Sequence, residues 1–281
     1  MNCSLLIKQI YDKMTESEKK IADYVLVNSS EVYKFSASEL ANITKTSSSS
    51  VVRFSRKLGF EGFQEFKIEL AKDDINPVEN IEYDYIDTED NIREVIVKTA
   101  NKNIQSINDT ISLLDEHTIE EAIKAIKNAK NIYIFGIGES ALIGLDLQYK
   151  LLRIHKNAMI SLESHVQLSM SANISNDDIA IGISYLGKTK EVYSALSKCK
   201  EKGAKCITIT KFGENPVSSL GDIKIQVPFV EKDLRIGAIS SRIVQLTVID
   251  ILFVGLAKEN FSDVEKYLKE TRNMIEELRM K

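Results

Sequence analysis

The sequence predicts an all-α head joined to an α/β body built on a parallel, three-layer α/β/α sheet. Three observations predict it. The first 72 residues carry helix-capping patterns and apolar residues at helical spacing. Residues 73–90 hold eight acidic residues and no Lys or Arg. From residue 131 onward short apolar runs alternate with helical stretches, the pattern of a parallel sheet with helices on both faces. The expected boundaries are a head over 1–75, an acidic linker over 76–90 and a body with flanking helices over 91–281. A chain of 281 residues, 43% apolar and 28% charged, has room for two such cores. The net charge of −4 divides unevenly. Residues 1–72 hold 11 basic against 9 acidic residues, and the remainder 26 against 32. So anion affinity in the head must come from local placement rather than bulk charge.

In the head, Thr15 with Glu18 is a capping box, and Ile21, Tyr24, Val25 and Val27 or Asn28 follow at helical spacing. Ser36 with Glu39 opens a second helix. Thr44, Lys45 and Thr46 then form a short polar turn into Ser47-Ser48-Ser49-Ser50-Val51-Val52-Arg53-Phe54-Ser55-Arg56-Lys57-Leu58, closed by Gly59 as a C-terminal cap. Two helices joined by such a turn are a helix-turn-helix unit. Val51, Val52, Phe54 and Leu58 are expected to face a core. Ser47, Ser48, Ser49, Ser50, Arg53, Arg56 and Lys57 are the expected contacts to double-stranded DNA. Serine hydroxyls bond phosphates or base edges, and Arg can bridge guanine O6 and N7. Phe60, Phe63 and Phe66 fill the core under a last helix near 63–72.

In the body, Ile92, Val95, Ile96, Thr99, Ile104, Ile107, Ile111 and Leu114 mark one long amphipathic helix. Its stripe is expected to pack on its own domain or on a second subunit. After a helix near 119–129, strands are expected at 131–136, 158–161, 179–184, 206–210 and 223–227. Helices are expected at 140–154, 189–202 and 240–258, with a last one at 262–280 presenting Val264, Tyr267, Leu268, Ile275 and Leu278 on one side. No run of about 18 apolar residues is present, so no membrane span is expected. No signal-peptide core is read near the N-terminus, and Cys3, Cys199 and Cys206 are scattered, so reduced thiols in a cytoplasm are expected. No metal-ligand spacing is present, and neither a metal nor a cofactor is expected.

Two strand ends carry loops that suit an anion: Gly136-Ile137-Gly138-Glu139-Ser140 and Ser184-Tyr185-Leu186-Gly187-Lys188-Thr189. Each opens a helix. Gly lets the backbone approach a ligand, helix N-termini attract negative charge, and Ser140, Ser184 and Thr189 add hydroxyls. Together they can cradle one phosphate monoester. The first loop is no dinucleotide fingerprint, because its third glycine falls at Ala141.

The chain resembles RpiR/MurR-type transcriptional regulators, which join an N-terminal helix-turn-helix domain to a SIS (sugar isomerase) domain. The resemblance runs through Leu40-Ala41, Val51 to Phe60 and Phe63 to Lys67 in the head. In the body it runs through both loops, Glu163 to Gln167, Ser240-Ser241-Arg242 and Asp250 to Phe253. It implies a body that binds a phosphorylated sugar, its phosphate on Ser140, Ser184 and Thr189. The second loop departs from the usual Ser-x-Ser-Gly-x-Thr by placing Leu at 186, which removes one hydroxyl. Lys188 either adds a charge to the site or faces solvent. His165 either bonds a sugar hydroxyl or lies on the surface. Arg242 either reaches the sugar phosphate or pairs with Glu231 or Asp233. The expected function is a DNA-binding regulator of sugar metabolism, homodimeric or tetrameric, with a phosphosugar effector. The alternative is a sugar-phosphate isomerase using Glu163, His165 or Glu231 as a base, in which the head serves only for dimerisation. That alternative leaves the recognition helix unexplained, so no catalytic residue is assigned.

Overall fold

The computed structural model describes residues 3–73, 88–230, 237–259 and 261–276. The chain forms two compact units, Met1–Asp84 and Tyr85–Lys281. Most of the acidic stretch read as a linker lies outside the described residues.

The first unit is all helical: α1 (Cys3–Ile10), α2 (Glu16–Val27), α3 (Ser29–Val32), α4 (Ala37–Ile43), α5 (Ser48–Lys57) and α6 (Phe63–Asp73). Both predicted capping boxes form, Thr15 with Glu18 and Ser36 with Glu39, each bonded in both directions. Gly59, at φ +98°, ends α5 in a Schellman arrangement: its N–H donates to Arg56 O and the Phe60 N–H to Ser55 O. Phe66 lies at the centre of the aromatic core, 5.7 Å from Phe54, 5.5 Å from Phe60 and 6.1 Å from Phe63 between ring centroids. Two expectations change. Val27 is exposed, because Asn28 ends the helix there. Helix α1 was not anticipated, although Cys3, Leu6, Ile7 and Ile10 follow helical spacing and are buried.

The second unit opens with α7 (Ile92–Leu113) and α8 (Glu116–Asn128) and continues β1 (Ile132–Phe135), α9 (Glu139–Leu152), β2 (Ala158–Met159), α10 (Ser164–Ala172), β3 (Ile179–Ile183), α11 (Lys190–Glu201), β4 (Lys205–Lys211), β5 (Ile223–Val227), α12 (Ile239–Glu259) and α13 (Phe261–Glu276). All five predicted strands form one parallel sheet in the order β2-β1-β3-β4-β5. Two cores sandwich it. Ile132, Ile134 and Ile181 face a layer containing Ile143 and Leu147 of α9 and Val248 and Leu252 of α12. Tyr133, Phe135 and Ala180 face Val192, Leu196 and Cys199 of α11. Both faces of the strands are therefore apolar, as a covered parallel sheet requires.

Three features of this unit depart from the sequence reading. In α7 the buried residues are Ser106, Thr110 and Leu113, while Ile92, Ile96, Ile104 and Ile111 are all more than half exposed. These four isoleucines therefore face away from the core of the unit, while Leu114 at the end of the stripe packs on it. Helix α12 is long and apolar enough to cross a membrane by length and composition, although no uninterrupted apolar run marks it. In this fold it is a core helix, burying Val244, Val248, Ile249, Leu252 and Leu256 and packing on α7, α8 and α9. In α13, Val264 is buried and Tyr267 stacks on His155, whereas the Ile275 side chain and Leu278 fall outside the described residues. The three cysteines are buried and form no disulfide, and burial pushes the thiols of Cys199 and Cys206 up to about 12.

Candidate functional site

In the head, α5 begins at an N-cap built from its own serines. Ser47 Oγ accepts from the Ser50 N–H at 3.1 Å and lies 2.8 Å from Ser49 Oγ and 2.9 Å from Ser50 Oγ. Ser48 Oγ bonds Ser38 Oγ of α4 at 3.2 Å, which ties the two helices of the motif. Lys45, at φ +52°, makes the turn between them. Ser47, Ser48, Ser49, Arg53 and Arg56 are exposed. Arg53 Nη2 donates to Ser50 Oγ at 3.3 Å, and Arg56 Nε donates to Glu61 O at 3.1 Å, so both guanidinium groups are anchored at one edge.

Two of the expected DNA contacts have roles within the fold. Ser50 is buried, with 6% exposure. Lys57 Nζ reaches across the unit to the Lys13 carbonyl and to Glu18 Oε2, each at 2.7 Å. Burial raises the Glu18 carboxyl, but hydrogen bonds from Lys57 and Thr15 outweigh it and hold the group below its ordinary range. Lys57 thus fastens the end of α5 to the start of α2.

In the body, sheet order decides where a ligand fits. The chain leaves β1 into α9 on one face and β3 into α11 on the other, and these two strands are neighbours. A crevice opens at such a switch point, outside the carboxyl ends of the strands. Both predicted loops, 136–140 and 184–189, flank it. Neither helix that they open has a side-chain cap on its N-terminus. Ser184 Oγ and Thr189 Oγ1 lie 2.9 Å apart. Gly138 begins α9 at φ +61°, and Ser140 sits half-buried in its first turn.

Gly136 plays a different part from the one expected. Its N–H donates to Gln167 Oε1 at 3.1 Å, so it is not offered to an anion. Gln167 also donates to Gly136 O and to Ser161 O, pinning the first loop to the segment after β2. A Cβ at 136 would stand 2.8 Å from Ser140 O, which is why glycine is needed. Gly187, at φ +68°, is clamped from outside its loop: a Cβ there would lie 1.8 Å from Asn215 Oδ1. Asn215 is held in turn by Ser218 N, Thr210 Oγ1 and Gly213 O. Leu186 and Lys188 are exposed.

His165 lies within the first turn of α10, not ahead of a helix, and it is exposed. Glu163 caps that helix, accepting from the N–H groups of His165 and Val166 at 3.1 and 2.8 Å. These bonds lower the Glu163 carboxyl, the wrong direction for a proton-abstracting base near neutral pH. Arg242 is exposed in the first turn of α12, and its expected partners Glu231 and Asp233 lie outside the described residues. The structure therefore brings Ser184, Thr189 and the two helix starts together. Gln167 and Asn215, which hold the loops in place, were not given roles from sequence; Gln167 bonds Gly136 across 31 positions, and Asn215, bonded to its near neighbours, packs against Gly187.

Residues 1–77 match the helix-turn-helix domain of the rpiR family, and residues 125–255 match the SIS domain. A HTH-type transcriptional regulator of Caldanaerobacter subterraneus subsp. tengcongensis, uncharacterized, is 38% identical over 96% of this chain and 95% of its own. Another, YbbH of Bacillus subtilis, is 34% identical over 98% of both. Among solved structures, the Vibrio vulnificus NanR protein complexed with ManNAc-6P aligns over 100% of both chains with a TM-score of 0.64 at 25% identity.

Proposed function

The chain belongs to the rpiR family of helix-turn-helix transcriptional regulators carrying a SIS domain, and from that premise we propose that a phosphorylated sugar controls its binding to DNA. The observation that carries the effector reading is the pairing of Ser184 and Thr189 hydroxyls, 2.9 Å apart, at the β1/β3 switch point beside two uncapped helix starts. A phosphate monoester would take both hydroxyls as donors and lie against both helix dipoles. Ser140 adds a third hydroxyl, and the open space beside Gly138 lets the ligand approach. Leu186 leaves the loop one hydroxyl short, so the phosphate draws on Ser184, Thr189 and the helix starts. The effector class is an amino-sugar or hexose phosphate, and the NanR structure holds one sugar phosphate, ManNAc-6P. Lys188, His165 and Arg242, all exposed, are the groups available to the sugar.

Ser48, Ser49, Arg53 and Arg56 form the DNA-reading face of α5. Helix-turn-helix proteins read paired half-sites, so two copies are needed. The exposed stripe Ile92, Ile96, Ile104 and Ile111 is the surface we assign to that pairing.

Thermal unfolding against a panel of sugar phosphates, with the free sugars as controls, tests the effector. A ligand at about 100 times its Kd should add about 2.7 kcal/mol of stability. Ser184→Ala with Thr189→Ala should abolish the shift and leave DNA binding intact. An undiminished shift in that double variant overturns the cradle.

A further inference from the structure

Tyr185 follows Ser184 in the second loop and is 5% exposed. Its hydroxyl donates to Pro228 O at 3.1 Å and accepts from the Val230 N–H at 2.8 Å. Its ring stacks on Phe229, with centroids 6.5 Å apart and planes 25° apart. Lys211 Nζ lies 4.2 Å from the Phe229 centroid, and the Lys211 N–H donates to Tyr185 O at 2.7 Å. One residue thus grips β4 through its backbone and the exit of β5 through its side chain. The chain reaches α12 soon afterwards, at Ile239, and α12 packs on α7, the first helix of this unit.

We propose that Tyr185 is a positioning residue that couples phosphate binding at Ser184 and Thr189 to residues 228–230 at the exit of β5, and through the core on which they pack to α12 and α7. The proposal rests on the cradle reading above. A phosphate drawing on both hydroxyls pulls on the backbone of 184–189. That loop does not slide freely, because Gly187 is packed against Asn215 and the Val217 N–H bonds Gly187 O at 3.0 Å. The phenol is rigid and bonded at its far end, so its displacement passes to the Pro228 carbonyl and the Val230 N–H. Phe229 and Val230 pack against the apolar core that holds Val244, Val248 and Leu252 of α12. A coupling of this kind needs contiguous packed and hydrogen-bonded groups, and Tyr185, residues 228–230 and that core supply them.

Hydrogen exchange on the full-length chain tests it, with ManNAc-6P and inorganic phosphate as probes. In the wild type, a probe should protect peptides covering 184–189 and also those covering 227–245. In Tyr185→Phe, which keeps the ring and loses the hydroxyl, protection of 184–189 should persist while the probe-dependent protection of 227–245 falls at least about fivefold. Phe229→Leu, which removes the stack on the receiving side, should reproduce that loss. Ile225→Val, which trims the same core without touching the hydroxyl, should not. Undiminished protection of 227–245 in Tyr185→Phe, or its absence in the wild type despite a protected loop, overturns the coupling and leaves the cradle standing. Loss of loop protection itself in Tyr185→Phe makes the hydroxyl part of the binding site and also overturns the coupling. If neither probe protects 184–189 in the wild type, cradle and coupling fall together.

Discussion

Gly187→Ala is the most demanding test of how the second loop is held. At φ +68° an L side chain costs about 1–2 kcal/mol. The new Cβ would also sit 1.8 Å from Asn215 Oδ1, so the amide must leave. Asn215 Oδ1 accepts from the Ser218 N–H at 2.8 Å, and its Nδ2 donates to Thr210 Oγ1 at 3.1 Å and Gly213 O at 3.0 Å. Losing two of these half-buried bonds costs about 1–2 kcal/mol more. The expected total is about 2–4 kcal/mol, read as a lower urea midpoint at unchanged slope. Asn215→Ala alone should cost about 1–3 kcal/mol by removing the same bonds. The two changes share one cause, so the double variant should fall short of additivity by at least about 1 kcal/mol. The residual cost of Gly187→Ala in the Asn215→Ala background is then the backbone strain alone. A single-variant cost below about 1 kcal/mol, or strict additivity, would refute the clamp.

Four further outcomes are expected. Arg53→Ala should weaken operator binding in gel-shift titration by about 1–3 kcal/mol. Lys57→Met should leave operator affinity within about threefold at matched folding while lowering urea stability by about 1 kcal/mol, because it frees Glu18 and the Lys13 carbonyl; the reverse pattern would return Lys57 to the DNA face. Burial raises the Asp178 carboxyl, but bonds from Ser175 and Asn131 bring it below its ordinary range. A depressed folded-state value means its contribution is present above the unfolded carboxyl pKa of about 4 and is lost as pH falls through the folded value; Asp178→Asn should flatten the urea stability profile between about pH 5 and pH 2. Ile104→Asp with Ile111→Asp should halve the sedimentation mass if the exposed stripe joins two copies, and an unchanged mass would place the contact elsewhere.

Local patterns were legible wherever their meaning closes within about four residues. Both capping boxes of the head, the glycine end of α5, the alternation of strands with helices and the two glycine-bearing loops could be read directly, because a cap or a turn is satisfied by its neighbours. The exposure of Ser47, Ser48, Ser49, Arg53 and Arg56 on α5 was legible for the same reason, and helix α1 was legible but passed over.

What the sequence left open was decided by contacts between distant residues. Ser50 lies inside and Lys57 is occupied because α2 packs against α5, which brings Glu18 and Lys57 together across 39 positions. Gln167 meets Gly136 across 31 positions only because α10 packs beside β1, an interior strand of the sheet. The outward turn of the α7 stripe follows from which side α12 occupies. The crevice itself exists because β1 and β3 are neighbours whose helices depart to opposite faces. Strand order is a property of the assembled sheet, set by packing that covers both apolar faces, and periodicity along the chain does not encode it.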